Sequence, residues 1–267
     1  MEPTPRPHRR SRWVTGTAVV AAGLATVVAV TANGSANAAV QPGTVGNDVI
    51  IGRDNDNAAN TFIQPAGVAA KQHLEDTDLL TGTSGHDLLI GLKGDDVLLA
   101  GAGDDILVGG NERGALPNSD VLIGDAGHDI NVWAPGDGSD LFVAGAGHDV
   151  QVLAPFVLDA AGKPALFWQH GRRVPHVNAA NQPAFKCTVE AVPAAQKLGV
   201  DYLVRFFAGG NLAVTIRLDD AEKVVCPSPK PGKVTVADLT SAHPTQFVEK
   251  PLSAFSGTVL GAILQAP

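Results

Sequence analysis

Between Gly43 and Val152 short apolar triplets recur along the chain, each preceded by an acidic residue and a glycine-bearing stretch. Read from Gly82, GTSGHDLLI, GLKGDDVLL and AGAGDDILV follow one another without a gap, and GDAGHDINV and AGAGHDVQV appear after longer spacers. Each unit has nine residues, with glycine at position four and Asp at position six. Two longer units end in the same phase, as Asp120-Val121-Leu122-Ile123 and Asp140-Leu141-Phe142-Val143. Upstream, Gly43 to Ile51 fits the pattern, Asp78 to Thr81 fits its end, and Asn60 to Ile63 fits with Asn in place of Asp.

A three-residue strand turns its middle side chain to one face and its flanks to the other. The middle residue, at position eight, is Ile50, Phe62, Leu80, Leu89, Leu98, Leu107, Leu122 and Phe142 in order, so this position is expected to face inward. Asn131 and Gln151 break the rule, while their neighbours Ile130, Val132, Val150 and Val152 are apolar and face the opposite way. An outward apolar stripe requires a cover, and the remainder of the chain is the expected one.

From Pro155 the glycine punctuation stops. Alternation predicts strands over Ala184 to Val192, Tyr202 to Phe207, Leu212 to Leu218 and Lys223 to Val225, with a turn at Gly209-Gly210-Asn211. These strands form a small antiparallel β domain; Val234 to Pro267 carries no pattern that assigns its fold. At the other end, a basic stretch with Arg6, Arg9, Arg10 and Arg12 precedes an uncharged run from Val14 to Ala32 and the small residues Ala36-Asn37-Ala38. Residues 1–38 therefore read as a cleaved signal peptide of the general secretory kind, the alternative being a retained anchor. Cys187 and Cys226 are the two cysteines; in an oxidising exterior they make one disulfide, two buried thiols being the alternative.

Charge separates the two halves. Residues 39–154 carry 18 Asp plus Glu against 4 Lys plus Arg, a net of −14; residues 155–267 carry 8 against 11, a net of +3. An acidic segment of this density excludes nucleic acid and anionic membrane surfaces as partners and needs cations to be compact.

The units resemble the hemolysin-type, or RTX, calcium-binding repeat, G-G-x-G-x-D-x-U-x with U a large apolar residue. The resemblance implies an all-β fold in which 39–154 is a parallel β-roll, each nonapeptide making a turn over six residues and a strand over three, followed by the C-terminal β-rich domain at 155–267. It implies calcium ions shared between neighbouring turns, held by Asp48, Asp78, Asp87, Asp96, Asp105, Asp120, Asp129, Asp140 and Asp149. The turn glycines belong to the same sites: Gly82, Gly85, Gly91, Gly94, Gly101, Gly103, Gly124, Gly127, Gly145 and Gly147. The chemistry is consistent, because calcium takes six to eight oxygens and glycine turns let carbonyls converge.

Alternating the units assigns Asp48, Asp78, Asp96, Asp120 and Asp140 to one edge, and Asn60, Asp87, Asp105, Asp129 and Asp149 to the other. The first edge is interrupted at Gly109 to Ser119 and at Trp133 to Ser139, which predicts poorer ligand geometry there. His86, His128 and His148 precede repeat Asp residues at position five and read as ordinary turn variation. The pair Arg172-Arg173 reads as solvated.

No H-E-x-x-H, G-x-S-x-G or P-loop motif is present. The leading function is a secreted, noncatalytic calcium-binding module of structural, adhesive or ion-responsive role, with no membrane insertion once the signal is removed, and with room for an extracellular protein or glycan partner. The alternative is a secreted hydrolase whose catalytic unit is the C-terminal domain; a pore-former lacks the long apolar segment it needs. The apparent N-terminal signal departs from the uncleaved C-terminal export signal common among RTX toxins.

Overall fold

The computed structural model describes residues 40–52, 78–110, 119–197 and 199–265. The expected signal peptide and the Asn60 to Ile63 unit lie outside these residues.

The acidic half is a parallel β-roll whose successive triplets alternate between two sheets. The first sheet takes β1 (Val40–Pro42), β3 (Leu79–Thr81), β5 (Val97–Ala102), β7 (Val121–Gly127) and β9 (Leu141–Gly147). The second takes β2 (Val49–Ile51), β4 (Leu88–Leu92), β6 (Ile106–Gly110), β8 (Ile130–Trp133) and β10 (Val150–Leu153). Register places like on like: Leu89 pairs with Leu107, and Leu98 with Leu122, which pairs with Phe142.

Ile50, Leu80, Leu89, Leu98, Leu107, Leu122 and Phe142 accordingly fill one core between the sheets. Asn131 and Gln151 also point there, and they satisfy each other: Asn131 Nδ2 donates to Gln151 Oε1 at 2.8 Å, and Gln151 Nε2 donates to the Val152 carbonyl at 3.1 Å. Adjacent coils holding the two amides in register make a buried polar pair tolerable.

Beyond the last coil both sheets continue. In the first, β15 (Asn211–Asp219) lies parallel to β9 and is followed by the antiparallel strands β14 (Tyr202–Ala208) and β13 (Phe185–Ala191). In the second, β16 (Lys223–Pro227) lies parallel to β10 and is followed by antiparallel β17 (Lys233–Asp238) and β18 (Phe247–Pro251). The four strands expected after Pro155 are therefore present, and β15 with β16 makes one more coil of the roll. Strands placed in this way occupy the backbone groups that an open sheet end would leave unpaired. Cys187 on β13 and Cys226 on β16 are bonded, with Cα atoms 6.3 Å apart, and tie the extensions of the two sheets together across the shared core.

A different part of the chain supplies the cover. Phe156, Val174, Val177 and Ala179, together with Ile263 and Leu264 from α1 (Val259–Leu264), pack on the outer face of the second sheet. The stripe they bury is longer than the four residues expected, since Leu88, Ile90, Ile106 and Val108 join Ile130, Val132, Val150 and Val152. Val174 belongs to β12 (Arg172–Pro175), which forms a hairpin with β11 (Leu166–Gln169).

Candidate calcium-binding edges

Each turn of the roll brings its position-six Asp to an edge and buries it; Asp78, Asp87, Asp96, Asp105, Asp120, Asp129, Asp140 and Asp149 are all within about 1% of full burial. Along one edge the backbone N–H of each Asp donates to Oδ1 of the Asp in the next coil. Asp48 donates to Asp87 at 2.7 Å, Asp87 to Asp105 at 2.7 Å, Asp105 to Asp129 at 2.8 Å, and Asp129 to Asp149 at 2.7 Å. The opposite edge repeats the device, Asp78 donating to Asp96 at 2.6 Å, Asp96 to Asp120 at 2.7 Å, and Asp120 to Asp140 at 3.0 Å.

Two expectations about these rows are corrected. Asp48 stands with Asp87, not with Asp78: β2 pairs directly with β4 and β1 directly with β3, so no strand stands between either pair. The longer units do all end on one edge, at Asp78, Asp120 and Asp140, but they do not break its ladder. The hydrogen bonds from Asp78 through Asp140 are continuous across both interruptions.

The second oxygen of each carboxylate folds into its own turn. A Cβ on Gly82 would strike Oδ2 of Asp87, one on Gly91 that of Asp96, and one on Gly124 that of Asp129. Position four has a separate reason for glycine. A Cβ on Gly103 would fall on the Gly85 carbonyl oxygen, one on Gly127 on that of Gly103, and one on Gly147 on that of Gly127. Stacked turns approach too closely there for any side chain. Gly94, Gly101 and Gly145 sit in the same turns with positive φ.

Oδ2 of Asp87 is met by the Thr83 N–H at 3.0 Å, whereas Oδ2 of Asp105, Asp129 and Asp149 are buried without any donor among the described residues. Burial raises these three carboxyls from the ordinary Asp value to about 6, about 8 and about 7, and neighbouring carboxylates add to the effect. A column of buried oxygens that the protein does not satisfy fits calcium, a hard cation that seeks oxygen ligands.

Several participants were not legible as such in the sequence. The ladder on the edge of Asp87 ends on Glu222, whose Oε2 accepts the Asp149 N–H at 2.6 Å. Its signal was the phase of Glu222-Lys223-Val224-Val225, an acid followed by a strand triplet, with Val224 inward and Val225 outward. The other edge ends differently: Arg217 accepts no such role, its guanidinium donating to the Ser139 carbonyl at 2.9 Å. Arg172 is buried, not solvated. It donates to the Asp104 and Asp87 carbonyls, and its charge faces Asp105, Asp104 and Asp87. Arg173 alone stays outside, 5.8 Å over the exposed Trp168 ring.

Position five also turns out to be constrained. The His86 N–H donates to Asn47 Oδ1, Asp104 to His86 Nδ1, His128 to Asp104 Oδ1, and His148 to His128 Nδ1, all at 2.8 to 3.0 Å. Asn, Asp and neutral His share an acceptor at one position in the side chain, which explains why these three types alternate there.

A search of curated proteins finds no match. The family of RTX calcium-binding nonapeptide repeats matches in 4 copies, over residues 81–113 and 136–150. Those residues hold the turns of Asp87, Asp96, Asp105, Asp140 and Asp149, such repeats bind calcium, and over these residues the chain carries RTX calcium-binding nonapeptide repeats.

Proposed function

We propose that the protein is an exported, noncatalytic module whose roll is set by extracellular calcium. The observation that carries this reading is the column of buried carboxylate oxygens on Asp105, Asp129 and Asp149 with no donor among the described residues. Without the ion, a segment of net −14 gathers its acids into two close rows; with it, repulsion is removed and adjacent coils are bridged, so that binding free energy becomes folding free energy. The Cys187–Cys226 disulfide fits an oxidising compartment, and the sequence of residues 1–38 supplies the export route. The residues after Pro155 are occupied in closing and covering the roll, and they carry no catalytic motif; this supports a structural or adhesive role over a hydrolytic one.

The test is calcium titration of the chain beginning at Ala39, followed by circular dichroism and calorimetry, with a hydrolase screen of the calcium-loaded form. A cooperative gain of β signal is expected, with a dissociation constant of roughly 10⁻⁴ to 10⁻³ M, as for other extracellular calcium modules. An equal β signal in chelator and in millimolar calcium contradicts the reading, and turnover of an ester or peptide substrate would replace its noncatalytic part.

A further inference from the structure

The connection between β8 and β9 brings to the first edge a carboxylate outside the position-six series. Asp137 lies in this loop, whose shape is held by three bonds among residues 133–138. Its own N–H donates to the Ala134 carbonyl at 3.1 Å, its Oδ1 accepts the Gly138 N–H at 3.1 Å, and the buried Trp133 indole donates to the Gly138 carbonyl at 2.9 Å. The result is that Asp137 is 4% exposed, Asp140 1% and Asp120 0%, with carboxylate oxygens of all three within 4.8 Å of one another.

That spacing suits an ion. Oxygens bound to one calcium at 2.3 to 2.6 Å lie no more than about 5 Å apart. Asp137 Oδ2 is moreover buried with no hydrogen-bond donor among the described residues, and its carboxyl lies against the Asp120 carboxyl and the Gly110 N–H, inside a cluster of like charge that includes Asp95 near Asp140. The cation beside it, Arg217, is exposed and engaged with the Ser139 carbonyl. Three acids gathered out of water repel one another, and a bound cation relieves that cost.

We propose that Asp120, Asp137 and Asp140 form a three-carboxylate calcium site, the tightest of the first edge, whose third charge comes from outside the position-six series. This rests on the calcium-binding reading of the edges. The interruption at Trp133 to Ser139 then strengthens its edge at the rung beside β15, where the C-terminal strands join the roll.

Terbium(III), a calcium-sized ion, tests this, because Trp133 is bonded to the residue after Asp137 and can sensitise terbium emission. In the chain from Ala39, emission excited through tryptophan should rise at the lowest terbium additions and be displaced by calcium. Asp137→Asn keeps the acceptor for the Gly138 N–H and removes the charge; the emission midpoint should shift by about tenfold or more, since ligand charge sets affinity in calcium sites. Asp105→Asn, on the other edge, should leave that midpoint in place. An unshifted midpoint in Asp137→Asn overturns the site, even where calorimetry still shows calcium bound elsewhere on the roll. Should that variant fail to fold, Asp137→Ser, which keeps a short uncharged acceptor there, decides by the same midpoint: a tenfold shift supports the site, and an unshifted midpoint overturns it. A wild-type chain that takes up no calcium in calorimetry overturns the broader reading of both edges.

Discussion

The two edges of the roll are built from the same turn and finished differently. Along Asp48, Asp87, Asp105, Asp129 and Asp149 the turns from Gly82 onward have one length, position five carries a ladder from Asn47 to His148 (a bond of the same kind joins Ser119 to Asp95 on the other edge), and a carboxylate, Glu222, takes the place of the next repeat Asp. Along Asp78, Asp96, Asp120 and Asp140 the connections are long, one of them contributes Asp137, and the row ends beside Arg217. Regular spacing thus yields a row of similar shared sites closed by an acid; irregular spacing yields one site with an extra acid, closed by a base. The length of a connection does not by itself measure the quality of a site, because the ladder depends on the register of the flanking strands and the inserted residues are free to add ligands.

Removing calcium should have the largest effect, and it bears on both edges. Chelation is expected to unfold the roll, seen as loss of β signal and of slow-exchanging amides in β3 to β10. The pH dependence of the residual stability locates the strain. The carboxyls of Asp105, Asp129 and Asp149 sit above their unfolded value in the calcium-free fold, so the folded state holds extra protons, and its stability falls as pH rises through about 6 to 8. The chelated protein should therefore retain less β signal at pH 8.5 than at pH 5.5. With calcium the order reverses, since the ion requires the deprotonated form. A chelated protein more stable at high pH would place the strain elsewhere.

Next in size is the glycine column of the regular edge. Gly127→Ala adds a Cβ onto the Gly103 carbonyl at a φ of 149° and should cost about 2–5 kcal/mol in calcium, whereas Gly46→Ala, whose Cβ meets only Thr44 Oγ1 at 3.8 Å, should cost little. Equal melting temperatures for the two variants would remove close stacking as the reason for glycine at position four.

The contrast between the two ends should be smaller. Glu222→Ala leaves the Asp149 N–H without its acceptor, a loss of about 1–3 kcal/mol, while Arg217→Ala keeps the backbone bond from residue 217 to the Asp140 carbonyl and should lose under about 1 kcal/mol. Denaturant titration in saturating calcium compares them directly. Smallest is position five: His128→Ala should cost about 1 kcal/mol and His128→Asn almost nothing, because Asn restores the acceptor for the His148 N–H. If both variants behave alike, the ladder contributes nothing to the regular edge.

Much of this architecture is local and was legible for that reason. A turn of fixed length followed by an inward apolar residue sets the period, and the period places Leu80, Leu89, Leu98, Leu107, Leu122 and Phe142 in the core and the repeat Asp residues at the edges. The strands after Pro155 and the Cys187–Cys226 pair could be read in the same way, from alternation and from parity of the cysteines. What tertiary structure alone decided depends on partners distant in sequence. Asp48 joins Asp87 across 39 residues because β2 pairs with β4; Glu222 closes a row from 73 residues beyond Asp149; Arg172 reaches the Asp87 carbonyl from 85 residues away. Asp137 is an unremarkable loop acid in the sequence and becomes a third ligand only because its loop, whose shape the Trp133 indole and the Ala134 carbonyl help to hold, places it beside Asp120 and Asp140. A repeat specifies how each unit sits on the next, since that interaction recurs at every step. Where the stack ends, and which inserted side chain turns inward, are single events with no period to reveal them.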